Sequence, residues 1–178
     1  MATLPGSGSS EHILLIGMMG AGKTSVGKRL ADKLGRPFFD VDAWIEDEEG
    51  VSISTIFETR GEAAFRDLEA NVLGSFLANP KASVLSVGGG AVTESRSRDV
   101  LDGAGQVVWL RANAATLAAR LGNCSDRPLL AGKDTAAELA RLSQLREPMY
   151  RAAADVVVDV DDLTLDDVVA RVVAALPC

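Results

Sequence analysis

An α/β fold, a parallel sheet covered by helices on both faces, is predicted by three observations. Short branched apolar runs, such as Ile13-Leu14-Leu15-Ile16 and Ser83-Val84-Leu85-Ser86-Val87, alternate with stretches of helical periodicity throughout the chain. These runs are continuously apolar rather than alternating, as strands buried on both faces require. Third, the stretch Gly17-Met18-Met19-Gly20-Ala21-Gly22-Lys23-Thr24 lies between the first such run and a helical pattern from Ser25 to Leu34. That is the G-x-x-x-x-G-K-[ST] pattern of a phosphate-binding loop, in the strand-to-helix setting that gives the pattern meaning.

The elements follow in order. A strand is expected at about His12–Ile16 and a helix at Lys23–Leu34, closed by Gly35. Pro37-Phe38-Phe39 reads as a short buried strand delivering Asp40-Val41-Asp42. Helical signals resume through Trp44-Ile45 and, after Gly50, through Ile53, Ile56 and Phe57. A longer helix is expected from Gly61 to Ala78, with Phe65, Leu68, Val72, Leu73 and Phe76 on its apolar side. The run Ser83–Val87 is a strand ending in Gly88-Gly89-Gly90, and a helix around Ser95–Leu101 leads to the strand Gln106–Leu110. A helix at about Ala114–Leu121 gives way to the polar stretch Gly122–Asp126 and to Arg127-Pro128-Leu129-Leu130, which together read as a mobile loop. A helix from Thr135 to Leu145, a strand Val156–Val158 and a last helix Leu165–Leu176 complete the chain, without internal repeats.

Composition narrows the function. The 178 residues suit one domain, residues 12–178, after a small, polar, flexible tail at 1–11. No apolar run approaches the ~20 residues of a membrane span, and a net charge of −7 argues against general nucleic-acid binding. Cys124 and Cys178 form neither a metal-ligand spacing nor a disulfide framework, as expected of a chain in a reducing cytoplasm. The single histidine, His12, excludes a His-based triad or zinc site and is expected to be structural or exposed.

In the phosphate loop, glycines let successive N–H groups face phosphate oxygens, and the following helix adds its positive end. Lys23 can reach the β- and γ-phosphates, and the Thr24 hydroxyl can ligate Mg²⁺. Ligands in parallel sheets gather beyond the carboxyl ends of strands, so this loop, Asp40–Asp42 and Gly88–Gly90 should converge. Asp40 and Asp42 suit the metal ion and an acceptor hydroxyl, although either could cap the next helix. Arg66, with Glu62 and Glu69 at helical spacing, is either a solvated ion-pair ladder or a guanidinium offered to a carboxylate substrate. Gly88-Gly89-Gly90 offers bare backbone for close approach, against the plainer reading of a flexible turn. Arg120, Arg127 and Arg146 flank the polar loop, and arginines in an acidic protein with a triphosphate site suggest charge stabilisation during phosphoryl transfer.

Several of these segments, in order, resemble shikimate kinase over essentially the whole chain after the tail. They are Gly17–Thr24, Phe39-Asp40-Val41-Asp42, Gly61-Glu62-x-x-Phe65-Arg66-x-x-Glu69, Gly88-Gly89-Gly90-Ala91-Val92, Arg127-Pro128-Leu129-Leu130 and Arg146-x-x-x-Tyr150. The resemblance implies a P-loop, nucleoside-monophosphate-kinase-like fold with a five-stranded parallel sheet, a shikimate-binding segment at about 41–69 and a lid at about 122–134. It implies a monomer that transfers the ATP γ-phosphate to the 3-hydroxyl of shikimate, giving shikimate 3-phosphate and ADP on the route to chorismate and aromatic amino acids. By the same resemblance, Asp42 contacts the shikimate hydroxyls as the candidate base. Arg66 and Arg146 grip the shikimate carboxylate, and the backbone of Gly88, Gly89 and Gly90 lines that pocket. Gly20, Ala21, Gly22, Lys23, Thr24, Ser25 and Arg120 hold the nucleotide, Arg127 meets the transferred phosphoryl group, and Thr24 and Asp40 serve Mg²⁺. One departure is Asp161-Asp162, where relatives often place a basic or amide residue that contacts adenine. The alternatives are another small-molecule kinase of the same fold, for gluconate or a nucleotide, and a binding protein that has lost catalysis. The Arg66, Arg146 and Asp42 set argues against the first, and intact Lys23, Thr24, Asp40, Asp42 and Arg127 against the second.

Overall fold

The computed structural model describes residues 11–103, 105–122 and 134–177. Five strands form one sheet: β1 (His12–Ile16), β2 (Phe38–Asp40), β3 (Val84–Ser86), β4 (Gly105–Arg111) and β5 (Val156–Asp159). Their spatial order is β2-β3-β1-β4-β5, and every pairing is parallel. All five residues of the central strand β1 are buried, which accounts for the uninterrupted apolar run Ile13–Ile16 within it. The helices are α1 (Lys23–Leu34), α2 (Val41–Glu49), α3 (Ile53–Leu77), α4 (Ser95–Leu101), α5 (Ala114–Leu121), α6 (Thr135–Ala153) and α7 (Leu165–Ala175). His12 is structural: Nε2–H donates to the Asn79 carbonyl at 3.0 Å, leaving Nδ1 to accept the Ser83 hydroxyl at 2.8 Å.

Two helices depart from their expected extents in ways that matter for the site. The two helical segments expected on either side of Gly61 join into one element, α3, bent where Gly61 adopts φ 83°, ψ 170°. Only glycine takes that conformation without strain, so the bend is written into the sequence at that residue. The helix expected to stop at Leu145 instead runs to Ala153, through Pro148. Proline removes one hydrogen bond and disfavours a helix interior. Here Leu139, Leu142, Arg146 and Tyr150 form a continuous buried stripe on α6, and packing overrides the local cost. β3 is shorter than expected, yet its flanks still pair: Ile13 N–H donates to Ser83 O at 2.9 Å and Val87 N–H to Leu15 O at 3.0 Å.

Candidate active site

The carboxyl ends of β1, β2 and β3 open into a cleft of about 910 Å³. It is lined by the phosphate loop, Asp40, Asp42, Ile53, Phe57, Arg66, Gly88–Gly90, Arg120 and Arg146, among others. Four cations, Lys23, Arg66, Arg120 and Arg146, thus converge on one cleft of an acidic protein, as an anionic ligand demands.

At one end lies the loop between β1 and α1, with Gly20, Gly22, Lys23, Thr24 and Ser25 on the cleft wall and Ala21 buried behind them. Lys23 Nζ donates to the Gly17 carbonyl at 2.8 Å and the Met18 carbonyl at 3.2 Å, folding the side chain across its own loop. The Thr24 hydroxyl donates to Asp40 Oδ2 at 2.6 Å. The other Asp40 oxygen accepts the Ala43 N–H at 3.4 Å, so Asp40 also caps α2. The capping and metal readings of this residue are therefore compatible. A hydroxyl and a carboxylate side by side are hard oxygen donors suited to Mg²⁺. Among the described residues no group of three or more His, Cys, Asp or Glu could hold a metal ion. A pair of protein oxygens is what a Mg²⁺ shared with phosphates and water requires, so these residues fit that ion.

At the other end, Arg66 on α3 is only 7 % exposed, which excludes a solvated ladder. Its guanidinium donates to Glu69 Oε2 at 2.7 Å and Glu62 Oε1 at 3.1 Å, and lies 5.1 Å from the Phe65 ring centroid. Glu69 is fully buried. Burial pushes its carboxyl up to about 7, with the Asp42 charge adding to the shift and the Arg66 charge opposing it. Asp42 sits in the first turn of α2 and lines the cleft. Between them run the three glycines after β3. A Cβ on Gly88 would collide with Glu69 Oε1 and come within 2.9 Å of Asp42 Oδ1, and a Cβ on Gly90 would strike the Arg66 guanidinium. These glycines are there for close approach, not for a flexible turn. Arg146, buried on α6, donates from Nη1 to the Gly89 carbonyl at 3.2 Å.

Arg120 reaches from α5 to the Val160 carbonyl at 2.9 Å and the Ala21 carbonyl at 3.5 Å, bracing the phosphate loop against the end of β5. Asp161, the departure noted above, accepts the Asn113 N–H with both oxygens at 3.1 and 3.2 Å, just before α5. Its carboxylate is engaged in the fold there. Arg127, Cys124 and most of the 122–134 segment lie outside the described residues.

A family model described as shikimate kinase matches residues 19–177. The chain belongs to the shikimate kinase family. A shikimate kinase of Chromobacterium violaceum is 42% identical over 165 residues, 93% of this chain and 89% of the relative. One of Rhodopseudomonas palustris is 44% identical over 164 residues, 92% and 80% of the two chains. The structure of a shikimate kinase from Acinetobacter baumannii in complex with shikimate superposes with a TM-score of 0.88 at 36% identity, covering 92% of this chain and 90% of that one. A gluconokinase from Sinorhizobium meliloti, at TM-score 0.56 and 21% identity, shares the fold alone.

The cleft brings together the described residues expected there from the sequence, except Ala21, which is buried behind the phosphate loop. Buried behind its wall are Glu69, which the sequence offered only as a helical-spacing partner of Arg66, and Tyr150, which stood inside a recognised motif without a task. Phe57 and Phe65, with ring centroids 5.1 Å apart, supply an apolar wall; Phe57 was signalled only by helical spacing, and Phe65 by that and its place beside Arg66 in the motif.

Proposed function

We propose that this chain transfers the γ-phosphate of ATP to the 3-hydroxyl of shikimate, in the pathway to chorismate and aromatic amino acids. The observation that carries this reading is the cleft itself. A phosphate loop at one end faces two buried arginines and an aspartate at the other, across a space lined by side-chain-free backbone. Shikimate is a small ring with a carboxylate at one end and hydroxyls at the other, which calls for arginine and carboxylate in that arrangement.

In this reading the backbone of Gly20–Ser25 cradles the phosphates, and triphosphate oxygens replace the Gly17 and Met18 carbonyls as partners of Lys23. Thr24 and Asp40 hold Mg²⁺, which when bound neutralises charge on the phosphates. Arg120 lies against the nucleotide. Residues 41–69 supply the acceptor segment: Arg66 and Arg146 hold the shikimate carboxylate, and Asp42 orients the 3-hydroxyl and takes its proton as it attacks. Phe57 and Phe65 pack on the ring. Residues 122–134 close as a lid that brings Arg127 over the moving phosphoryl group and excludes water. The working unit is a monomer in the cytoplasm, residues 12–178 forming one kinase domain.

The test is ADP release from Mg-ATP in the presence of shikimate, gluconate, AMP or CMP. Shikimate alone should stimulate it. Stimulation by gluconate or a nucleotide, with none by shikimate, overturns the assignment.

A further inference from the structure

Tyr150 is buried, 1 % exposed, and stacks on Trp109 with ring centroids 5.5 Å apart and planes 18° from parallel. Its hydroxyl donates a short hydrogen bond to the Gly89 carbonyl. Arg146, one turn earlier on α6, donates to the same oxygen. Two donors from successive turns of one helix thus converge on a single carbonyl of the acceptor turn. Gly89 is pressed between α6 and the phosphate loop: a Cβ there would lie 3.2 Å from Gly17 O, 3.4 Å from Met19 N and 3.6 Å from the Tyr150 hydroxyl. Because a trans peptide is planar, fixing the Gly89 carbonyl towards α6 turns the Gly90 N–H the opposite way.

Arg146 has two claims on it. In the reading above it must hold the acceptor carboxylate, and a full negative charge competes for a guanidinium better than a neutral carbonyl does. Tyr150 has no ligand charge to meet, although its hydroxyl oxygen also accepts a hydrogen bond from the Arg146 guanidinium. Its burial holds the phenol pKa above the ordinary value, so the hydroxyl keeps its proton and remains a donor.

We propose that Tyr150 is a positioning residue for the acceptor. It anchors the Gly89 carbonyl on α6, so that the Gly88–Gly90 backbone keeps its shape, with the Gly90 N–H facing the acceptor, when Arg146 turns to the carboxylate. This rests on shikimate being the acceptor, and the unmodified protein's shikimate-dependent ADP release, measured in the same series, tests that reading separately.

Tyr150→Phe keeps the ring and its stack and removes the hydroxyl, with its hydrogen bond to the Gly89 carbonyl and the one it accepts from Arg146. It should raise the KM for shikimate about tenfold, the ordinary consequence of losing a buried hydrogen bond. The KM for ATP should stay unchanged and kcat within about threefold. Trp109→Leu is the packing control: it weakens the same stack without touching the carbonyl, and should lower Tm with the shikimate KM unchanged. In the unmodified protein, amide exchange at Gly90 should slow when shikimate is added. An unchanged shikimate KM in Tyr150→Phe, an equal rise for both substrates, an equal effect of Trp109→Leu, or unaltered Gly90 exchange each overturns the proposal.

Discussion

At the phosphate end of the cleft, consecutive residues from Gly17 to Thr24 build the site largely with their own backbone. At the acceptor end, Asp42, Arg66 with Glu69, Gly88–Gly90 and Arg146 come from three separate helices and the turn after β3. The phosphate end presents N–H groups and a helix terminus and asks only that the chain turn tightly. The acceptor end presents buried charges that must be paired while they wait, as Arg66 is with Glu62 and Glu69. One end is specified by local sequence, the other by tertiary assembly, and perturbations of the two should separate cleanly.

The largest separation is expected from Lys23→Met. Removing the cation that meets the β- and γ-phosphates should lower kcat by about 10³-fold or more. Shikimate affinity, read by calorimetry, should stay within about threefold of the parent. A variant that retained kcat within tenfold would break the comparison at its phosphate end. Next comes Arg66→Ala, which should weaken shikimate binding about 10²-fold and leave ATP binding nearly unchanged. Because it strands Glu69 in the interior, it should also lower Tm, unlike Lys23→Met, whose parent side chain is only partly buried. Loss of ATP binding with shikimate binding kept would show that the two ends have been assigned the wrong way round.

The smallest effect sharpens the cost of the assembled end. In the folded protein the Glu69 carboxyl titrates at about 7, above its ordinary 4.5, so between those values the folded state holds the proton more tightly than the unfolded chain. The contribution of this group to stability is therefore full below about pH 4.5, declines as pH rises, and is lost above about pH 7. Glu69→Gln should flatten that part of the parent's Tm-against-pH curve, by at most on the order of 3 kcal/mol. Parallel curves for parent and variant would show that Glu69 is ionised throughout as a simple partner of Arg66.

The same contrast explains what could be read from the sequence. The phosphate loop was legible because its eight positions carry both its pattern and its setting. The sheet was legible because β1, β3 and β4 are apolar without alternation. Arg66 was not decidable from spacing, since Glu62 and Glu69 suit a wet ladder or a dry clamp equally, and only burial chooses. Gly88 and Gly90 were recognised as places of close approach, but what approaches, Glu69 and Arg66 of α3, lies some twenty residues away in the chain. Asp40 could be assigned to the metal or to a cap because one carboxylate has two oxygens, and here each has its own partner. The reach of α6 past Pro148 was hidden because a proline signals a stop locally, whereas the buried stripe through Tyr150 is a tertiary fact.

The neighbouring positions of β1 and β3 have a further consequence. Leu15 pairs with Ser86 across the ladder, so the loops that follow both strands emerge side by side, and Gly89 packs directly on Gly17. The gap between the phosphate donor and the attacking oxygen is then gauged by the main-chain ladder, with strands about 4.8 Å apart, rather than by the side chains that touch either molecule. The ladder works as a fixed jig. Sliding β3 by one residue along β1 would leave every arginine and aspartate in the chain, yet displace one reactant by about 3.3 Å, more than an in-line attack tolerates.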